Sequence, residues 1–311
     1  MDKKSLSFFL LLFASTLFSG EFPFYSAKKI SVPPVIDGIL NEECWKNAEM
    51  TVPFVAIGGK EVNVKTVGLL CWDKEKLYIG FICEEPLMEI IEKKIKDGNI
   101  KGFDESIEVF IDSRYDRSSY IQLRVGIIGE RESRKGAEVS PEMQAGWTAG
   151  IKRDKDRWTV EMGVPFALIA YKDITPDTIW GLNLNRQRTV DPKGDAWTCW
   201  SDTKGPFATP SRFGNLIFTD YPVWARYYYT LIVNKLMDEV MELIMQYPQA
   251  TKPFIPEMKK LDNLWWELIK KLYDEKSLNY KEISIAGDKV VSEYRAFLSQ
   301  IHLAVIETEF R

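Results

Sequence analysis

Near residue 220 the hydrophobic pattern of this chain changes its period from two residues to about 3.6, which divides it into a β part and a helical part. From Ile30 to Phe218 short β-branched and aromatic runs are broken by Gly, Pro, Asp and Asn. They predict strands near 29–32, 64–72, 77–84, 106–112, 120–127, 147–153, 157–163, 180–188 and 214–218. VKTVGLLCW and LYIGFIC flank the charged turn DKEK, and WTAGIKR and RWTVEMGVP flank Asp154-Lys155-Asp156, so two hairpins are expected. Hairpins imply antiparallel pairing. The expected fold is mainly β: an antiparallel β-sandwich over residues 21–220.

After Asp220 and Pro222, the residues Tyr229, Val233, Leu236, Val240 and Leu243 recur at helical spacing. Tyr247-Pro248 ends that helix. Pro256 opens a second carrying Met258, Leu261, Trp265, Leu268 and Leu272, and a third carries Val290, Tyr294, Phe297, Ile301 and Val305. Residues 221–311 are therefore expected to form a helical extension, a three-helix bundle. The chain is 45% hydrophobic, enough for one full core and a smaller second one.

Residues 1–20 have the layout of a secretory signal peptide: Lys3-Lys4, an apolar run from Leu6 to Phe18, then Ser19-Gly20, with Ser26-Ala27 as a second cleavage option. The run is shorter than the roughly 20 residues of a membrane-spanning helix. Export to the periplasm, cell surface or medium is the expectation. The four cysteines, Cys44, Cys71, Cys83 and Cys199, would then meet an environment that permits disulfides, although buried free thiols are an equal reading. A Cys71–Cys83 pair is disfavoured, since one lies near the hairpin turn and the other far from it.

The formal charge of −4 leaves no electrostatic footprint for nucleic acid. The single histidine, His302, falls in the third helix. That excludes histidine triads, dyads and zincin motifs within this chain, and it counts against haem held by Met and His. Carboxylate-only catalysis remains open through Asp104, Glu105, Glu108, Asp112 and Glu161, as the less favoured alternative.

Strand alternation is more informative. Ile107, Val109 and Ile111 share one face of their strand, with Glu108, Phe110 and Asp112 on the other; Ile121, Leu123 and Val125 oppose Tyr120, Gln122 and Arg124. In GLNLNRQR, Leu182 and Leu184 alternate with Asn183, Asn185 and Gln187. If these strands are neighbours, Glu108, Gln122, Arg124, Asn183 and Asn185 form a polar floor of the kind that binds adjacent sugar hydroxyls. Trp197 and Trp200, in the loop-rich DAWTCWSDTKGPF, are the candidate rings for the C–H face of a pyranose. Trp45, Trp158, Trp180, Trp265 and Trp266 are expected in the core.

The blocks VPPVIDGILNEECWKNA, VGLLCWDKEKLYIGFICEEP, DESIEVFID, YIQLRVG, RWTVEMGVPF, WGLNLNRQR, CWSD and SRFGNL, in this order, resemble carbohydrate-binding module family 9. The resemblance spans residues 30–218 and none of the helical tail. It implies a β-sandwich that holds a sugar, often at the reducing end of an oligosaccharide or polysaccharide, between two tryptophan rings. It assigns polar contacts to Glu108 and Arg124 and one ring to Trp200. The second ring position holds Gly102, so Phe103 beside it is the substitute. It also implies structural calcium, for which the loops around Asp112 and Asp116 and around Asp37 and Glu42 offer oxygens. The function expected is exported, non-catalytic carbohydrate binding. A structural role, with the helical extension as a protein-partner surface, is the alternative.

Overall fold

The computed structural model describes residues 22–191, 196–273 and 280–309, so the expected leader lies outside the described residues. The chain divides into two compact units, and the division falls at residues 231 and 232, inside the first long helix.

The first unit contains two sheets. The strands are β1 (Phe24–Ser26), β2 (Lys28–Lys29), β3 (Val55–Ala56), β4 (Thr66–Trp72), β5 (Lys76–Glu84), β6 (Glu105–Asp112), β7 (Ile121–Gly126), β8 (Arg131–Lys135), β9 (Glu138–Val139), β10 (Thr148–Arg153), β11 (Arg157–Pro165), β12 (Ile179–Arg188), β13 (Trp197–Cys199) and β14 (Gly214–Ile217). One sheet runs β1-β14-β12-β6-β7-β8-β9, with β13 against β12 and β3 against β13; the other runs β10-β11-β5-β4-β2. Both expected hairpins are present, β4 with β5 and β10 with β11. The turn of the first is fixed by Asp73, whose Oδ1 accepts the Glu75 and Lys76 N–H groups at 2.7 and 2.8 Å. The sheets are mixed rather than wholly antiparallel: β1 pairs with β14, and β2 with β4, in parallel. One short stretch, 24–29, thereby crosses from one sheet to the other and ties them at an edge. It replaces the strand expected at 29–32.

Period-two alternation builds the core between the sheets. Ile107, Val109, Ile111, Leu123, Val125, Leu182 and Leu184 from one sheet meet Leu77, Ile79, Phe81, Trp158, Val160 and Met162 from the other. The inner row of β12 ends in two arginines. Glu85 sits with no exposed surface just past β5 and accepts from Arg186 Nη2 at 2.8 Å and from Arg188 Nε and Nη2 at 2.8 and 2.9 Å. Arg186 Nη1 also donates to Thr66 Oγ1 at 3.1 Å and to the Glu84 carbonyl at 2.8 Å. These charges are tolerated inside because each arginine meets the carboxylate and Arg186 is also bonded to the facing sheet.

Residues 30–48 cover the outer face of the second sheet, with helix α1 (Glu43–Asn47) at their end. The clamp is Glu161, which accepts from the Trp45 indole at 2.6 Å and from the Asp37 and Gly38 N–H groups at 2.9 and 2.7 Å. Gly38 has φ +91°, and a Cβ there would lie 2.4 Å from the Ile151 carbonyl carbon, so only glycine permits the approach. Burial pushes the Glu161 carboxyl up to about 7, outweighing these three donors. A raised carboxylate pKa means that the folded state holds its proton more tightly than the unfolded one. Its contribution is complete at acid pH and is lost as pH rises towards 7. Urea denaturation from pH 5 to 8 should show the native protein losing about 1–2 kcal/mol relative to Glu161→Gln. Parallel pH profiles for the two proteins would rule this out.

The other helices in the sandwich unit are α2 (Met88–Lys96), α3 (Pro141–Ala145), α4 (Phe166–Ile169) and the start of α5 (Tyr221–Gln246). In α5, Tyr221 and Trp224 pack on Phe24 with ring centroids 5.2 and 5.5 Å away.

The second unit continues α5 and adds α6 (Pro248–Thr251), α7 (Ile255–Tyr273) and α8 (Tyr280–Glu309). Its three long helices follow the expected periodicity. Leu261, Trp265, Leu268 and Leu272 of α7 and Val290, Tyr294, Phe297, Ile301 and Val305 of α8 are buried, and the Tyr294 hydroxyl donates to Asp262 at 3.2 Å. Trp266 departs from expectation: adjacent to Trp265 on the helix, it falls on the other side and is 60% exposed.

Candidate functional site

The neighbour relation that the polar floor required is present, since β12, β6, β7 and β8 are consecutive in one sheet. Register then places Asn185 opposite Glu108, Glu108 opposite Arg124 and Arg124 opposite Glu132, so one outward row crosses four strands. The adjacent row holds Asn183, Phe110, Gln122 and Arg134.

The side chains of these rows interlock. Arg124 Nε lies 3.1 Å from Glu108 Oε1, and Gln122 Nε2 donates to Glu108 Oε2 at 2.6 Å. Arg124 Nη2 donates to Gln187 Oε1 at 3.3 Å, and Nη1 stands 3.8 Å from Glu132. The Arg124 guanidinium lies over the Phe103 ring, 4.3 Å from its centroid. Phe103 thus serves as a platform for the arginine. Burial raises the Glu108 carboxyl above the ordinary range, against the pull of Arg124 and the Gln122 amide.

Above this floor is a groove of about 610 Å³, lined by Glu108, Gln122, Arg124 and Gln187 below and by Ile57, Trp197, Pro206 and Phe207 at the sides. Trp197 is 46% exposed and meets Phe207 edge to face, with centroids 5.5 Å apart. Phe110, Cys199, Phe207 and Phe213 form a small apolar cluster that supports this wall.

Four of the expected site residues are placed differently, Phe103 among them, since it lies against the Arg124 guanidinium and does not line the groove. Trp200 is not a stacking ring: it is 4% exposed and belongs to the inter-sheet core. Trp197 and Trp200 are three positions apart on an extended segment, so they point to opposite faces. Asn183 is likewise absent from the groove. Its amide donates to the Ser201 carbonyl and accepts the Ser201 N–H, both at 3.0 Å, and so fastens the 200–213 loop to β12. Asn185 lies beside Cys199 of the paired strand β13 and has no exposed surface. Its amide nitrogen and oxygen have no hydrogen-bond partner among the described residues. Gln187, named on the polar face but not in the expected floor, and Phe207, Ile57 and Glu132, not singled out beforehand, complete the site. Alternation with Asn183 and Asn185 already pointed to Gln187. Phe207 and Ile57 carry no such signal, because they come from distant irregular segments.

The candidate catalytic acids do not form a free pair. Glu105 Oε1 accepts the Thr189 and Val190 N–H groups at 2.7 and 2.6 Å, Asp104 accepts the Lys101 N–H at 3.0 Å, and Glu161 belongs to the other sheet. The calcium donors fare similarly. Asp112 Oδ2 accepts the Arg117 N–H at 2.8 Å, Asp116 Oδ1 those of Ser118 and Ser119 at 2.9 and 2.7 Å, and Asp37 Oδ1 that of Ile39 at 2.8 Å. Among the described residues no group of three or more His, Cys, Asp or Glu side chains is arranged to hold a metal ion.

Known proteins share part of this sequence. Endo-1,4-β-xylanase A of Thermotoga neapolitana is 29% identical over 193 residues, which are 59% of this chain and 17% of that protein. Endo-1,4-β-xylanase A of Thermotoga maritima is 30% identical over 193 residues, with the same 59% and 17% shares. The chain thus matches about a sixth of the length of these relatives. Among solved structures, a family 9 carbohydrate-binding module from Caldicellulosiruptor kristjanssonii in complex with cellotriose aligns with a TM-score of 0.48 at 19% identity, covering 63% of this chain and 94% of that one. The family model described as carbohydrate family 9 binding domain-like matches residues 36–221. With more than half of its residues inside that match, the chain belongs to the carbohydrate family 9 binding domain-like family.

Proposed function

We propose that this chain is an exported, non-catalytic carbohydrate-binding protein that takes the end of an oligosaccharide or polysaccharide into the groove over β6, β7 and β12. The observation that carries the reading is the convergence of Glu108, Gln122, Arg124 and Gln187 beneath the exposed edge of Trp197. Arg124 presents planar N–H groups that span adjacent hydroxyls, Glu108 accepts, and the two amides do both. The indole covers the ring C–H groups. Because Glu108, Arg124 and Gln122 already hold one another, the floor is set before the sugar arrives, which limits the ordering cost of binding. Non-catalytic use fits an acid that is already paired with a guanidinium and an amide.

Calorimetric titration of the full chain tests this, using xylo- and cello-oligosaccharides with free and with reduced ends, with and without calcium. Saturable binding is expected, and Arg124→Gln should weaken it at least tenfold, about 1.4 kcal/mol. Loss on end-reduction assigns reducing-end recognition. No heat from any sugar with folded protein would reject the reading. A second role, binding a protein partner through the helical extension, is favoured by the exposed Trp266, Ile285 and Leu303. It predicts that Trp266→Ser abolishes a saturable association, and an unchanged association would dismiss it.

A further inference from the structure

Apart from the groove, the four cysteines fall into distinct environments. Cys83 lies in the inter-sheet core and Cys199 in the apolar cluster behind Phe207. Cys44 of α1 and Cys71 of β4 share a third cluster, with Trp45, Leu69 and Tyr78, on the outer face of the second sheet. Sharing that cluster brings the two thiols within electrostatic reach of each other. Both are reduced in the structure.

We propose that Cys44 and Cys71 are a disulfide site, closed by thiol–disulfide exchange when the protein enters an oxidising compartment. An S–S bond is about 2.05 Å long, and α1, a single short helix packed on β4, can shift to let the two sulfurs reach it. Cys44 is 8% exposed and Cys71 not at all, so the order of steps is set. The Cys44 thiolate attacks a small disulfide such as oxidised glutathione, releasing one glutathione thiolate and forming a mixed disulfide. Cys71 then attacks the Cys44 sulfur and expels the second glutathione. The two protein thiols lose two protons and two electrons, and one glutathione disulfide becomes two thiols.

The position gives the bond a purpose. The segment 30–48 is held to the second sheet by Glu161 through Trp45, Asp37 and Gly38. A Cys44–Cys71 bond adds a covalent tie next to that clamp and closes the loop from 45 to 70 in the unfolded chain. Burial raises both thiols, so closure is slow and is best driven at about pH 8.5.

The test equilibrates the full chain in glutathione buffers of increasing oxidised fraction, denatures and alkylates it, and measures intact and peptide masses. The expected product has two alkylations fewer than the reduced protein, a linked Cys44–Cys71 peptide, and alkylated Cys83 and Cys199. Its Tm should exceed that of the reduced form by about 5–10 °C. Cys44→Ser should show neither the link nor the shift. Persistence of all four thiols, a stable glutathione adduct at Cys44 without closure, or a link to Cys83 or Cys199 would each overturn the proposal. The wild-type masses decide it even if the variant does not fold.

Discussion

Glu85→Ala is expected to cost the sandwich about 3–5 kcal/mol, because it leaves two buried guanidinium groups facing each other with no carboxylate between them. Arg186 and Arg188 are 1% and 2% exposed, so water cannot replace the lost charge without opening the core. The two strands involved belong to different sheets, and Arg186 also bonds to Thr66 and to the Glu84 carbonyl. The damage should therefore appear as a cooperative loss of the whole sandwich. Urea denaturation measures it, and Tm should fall by about 10 °C. Glu85→Gln should recover little, since an amide keeps the shape but brings its own N–H groups against the arginines. A loss below about 1 kcal/mol would mean that the charges find other partners.

The second large effect is a division of labour between the two tryptophans of the 197–200 strand. Trp200→Ala should destabilise by about 3–5 kcal/mol through the cavity left in the inter-sheet core. Gly214 lies under that ring, where a Cβ would come within 2.6 Å of it, so the site is closely packed and collapses poorly. Trp197→Ala should leave Tm almost unchanged and reduce sugar affinity roughly tenfold to a hundredfold, about 1.4–2.7 kcal/mol. Thermal melts and calorimetric titrations on both variants separate the two roles. If Trp197→Ala bound sugar normally, the groove assignment would fail, whatever Trp200→Ala did.

Alternation made most of the floor legible. In β6, β7 and the middle of β12 the inner positions Ile107, Val109, Ile111, Leu123, Val125, Leu182 and Leu184 alternate with the outward Glu108, Gln122, Arg124 and Gln187, so those rows could be read directly. The same rule was unusable at β13, where three residues flanked by irregular backbone give no run to count along. Resemblance supplied Trp200 there, and the fold moves the exposed role to Trp197. Strand β8, Arg131-Glu132-Ser133-Arg134-Lys135, was missed because its one buried side chain is a serine. It is held by pairing to β7 and by the Trp147 indole, which donates to Ser133 Oγ at 2.7 Å. Hydrophobic pattern carries no trace of such a strand. Asn183 shows the converse limit: period places it on the right face, and only the loop folded over that face reveals that its amide is already taken.

The strap that crosses between the sheets also decides how such a module is mounted. Its first strand lies at the rim of the larger sheet beside β14, the last strand of the sandwich, and Phe24 packs on the aromatic residues that open α5. The chain therefore comes in and leaves along one rim, while the groove opens on β12, β6 and β7. A domain hung by one rim can be spliced beside or between other domains without its working face becoming part of the joint. Grafting residues 22–231 onto an unrelated carrier should then preserve the groove, as a cassette with a single point of attachment.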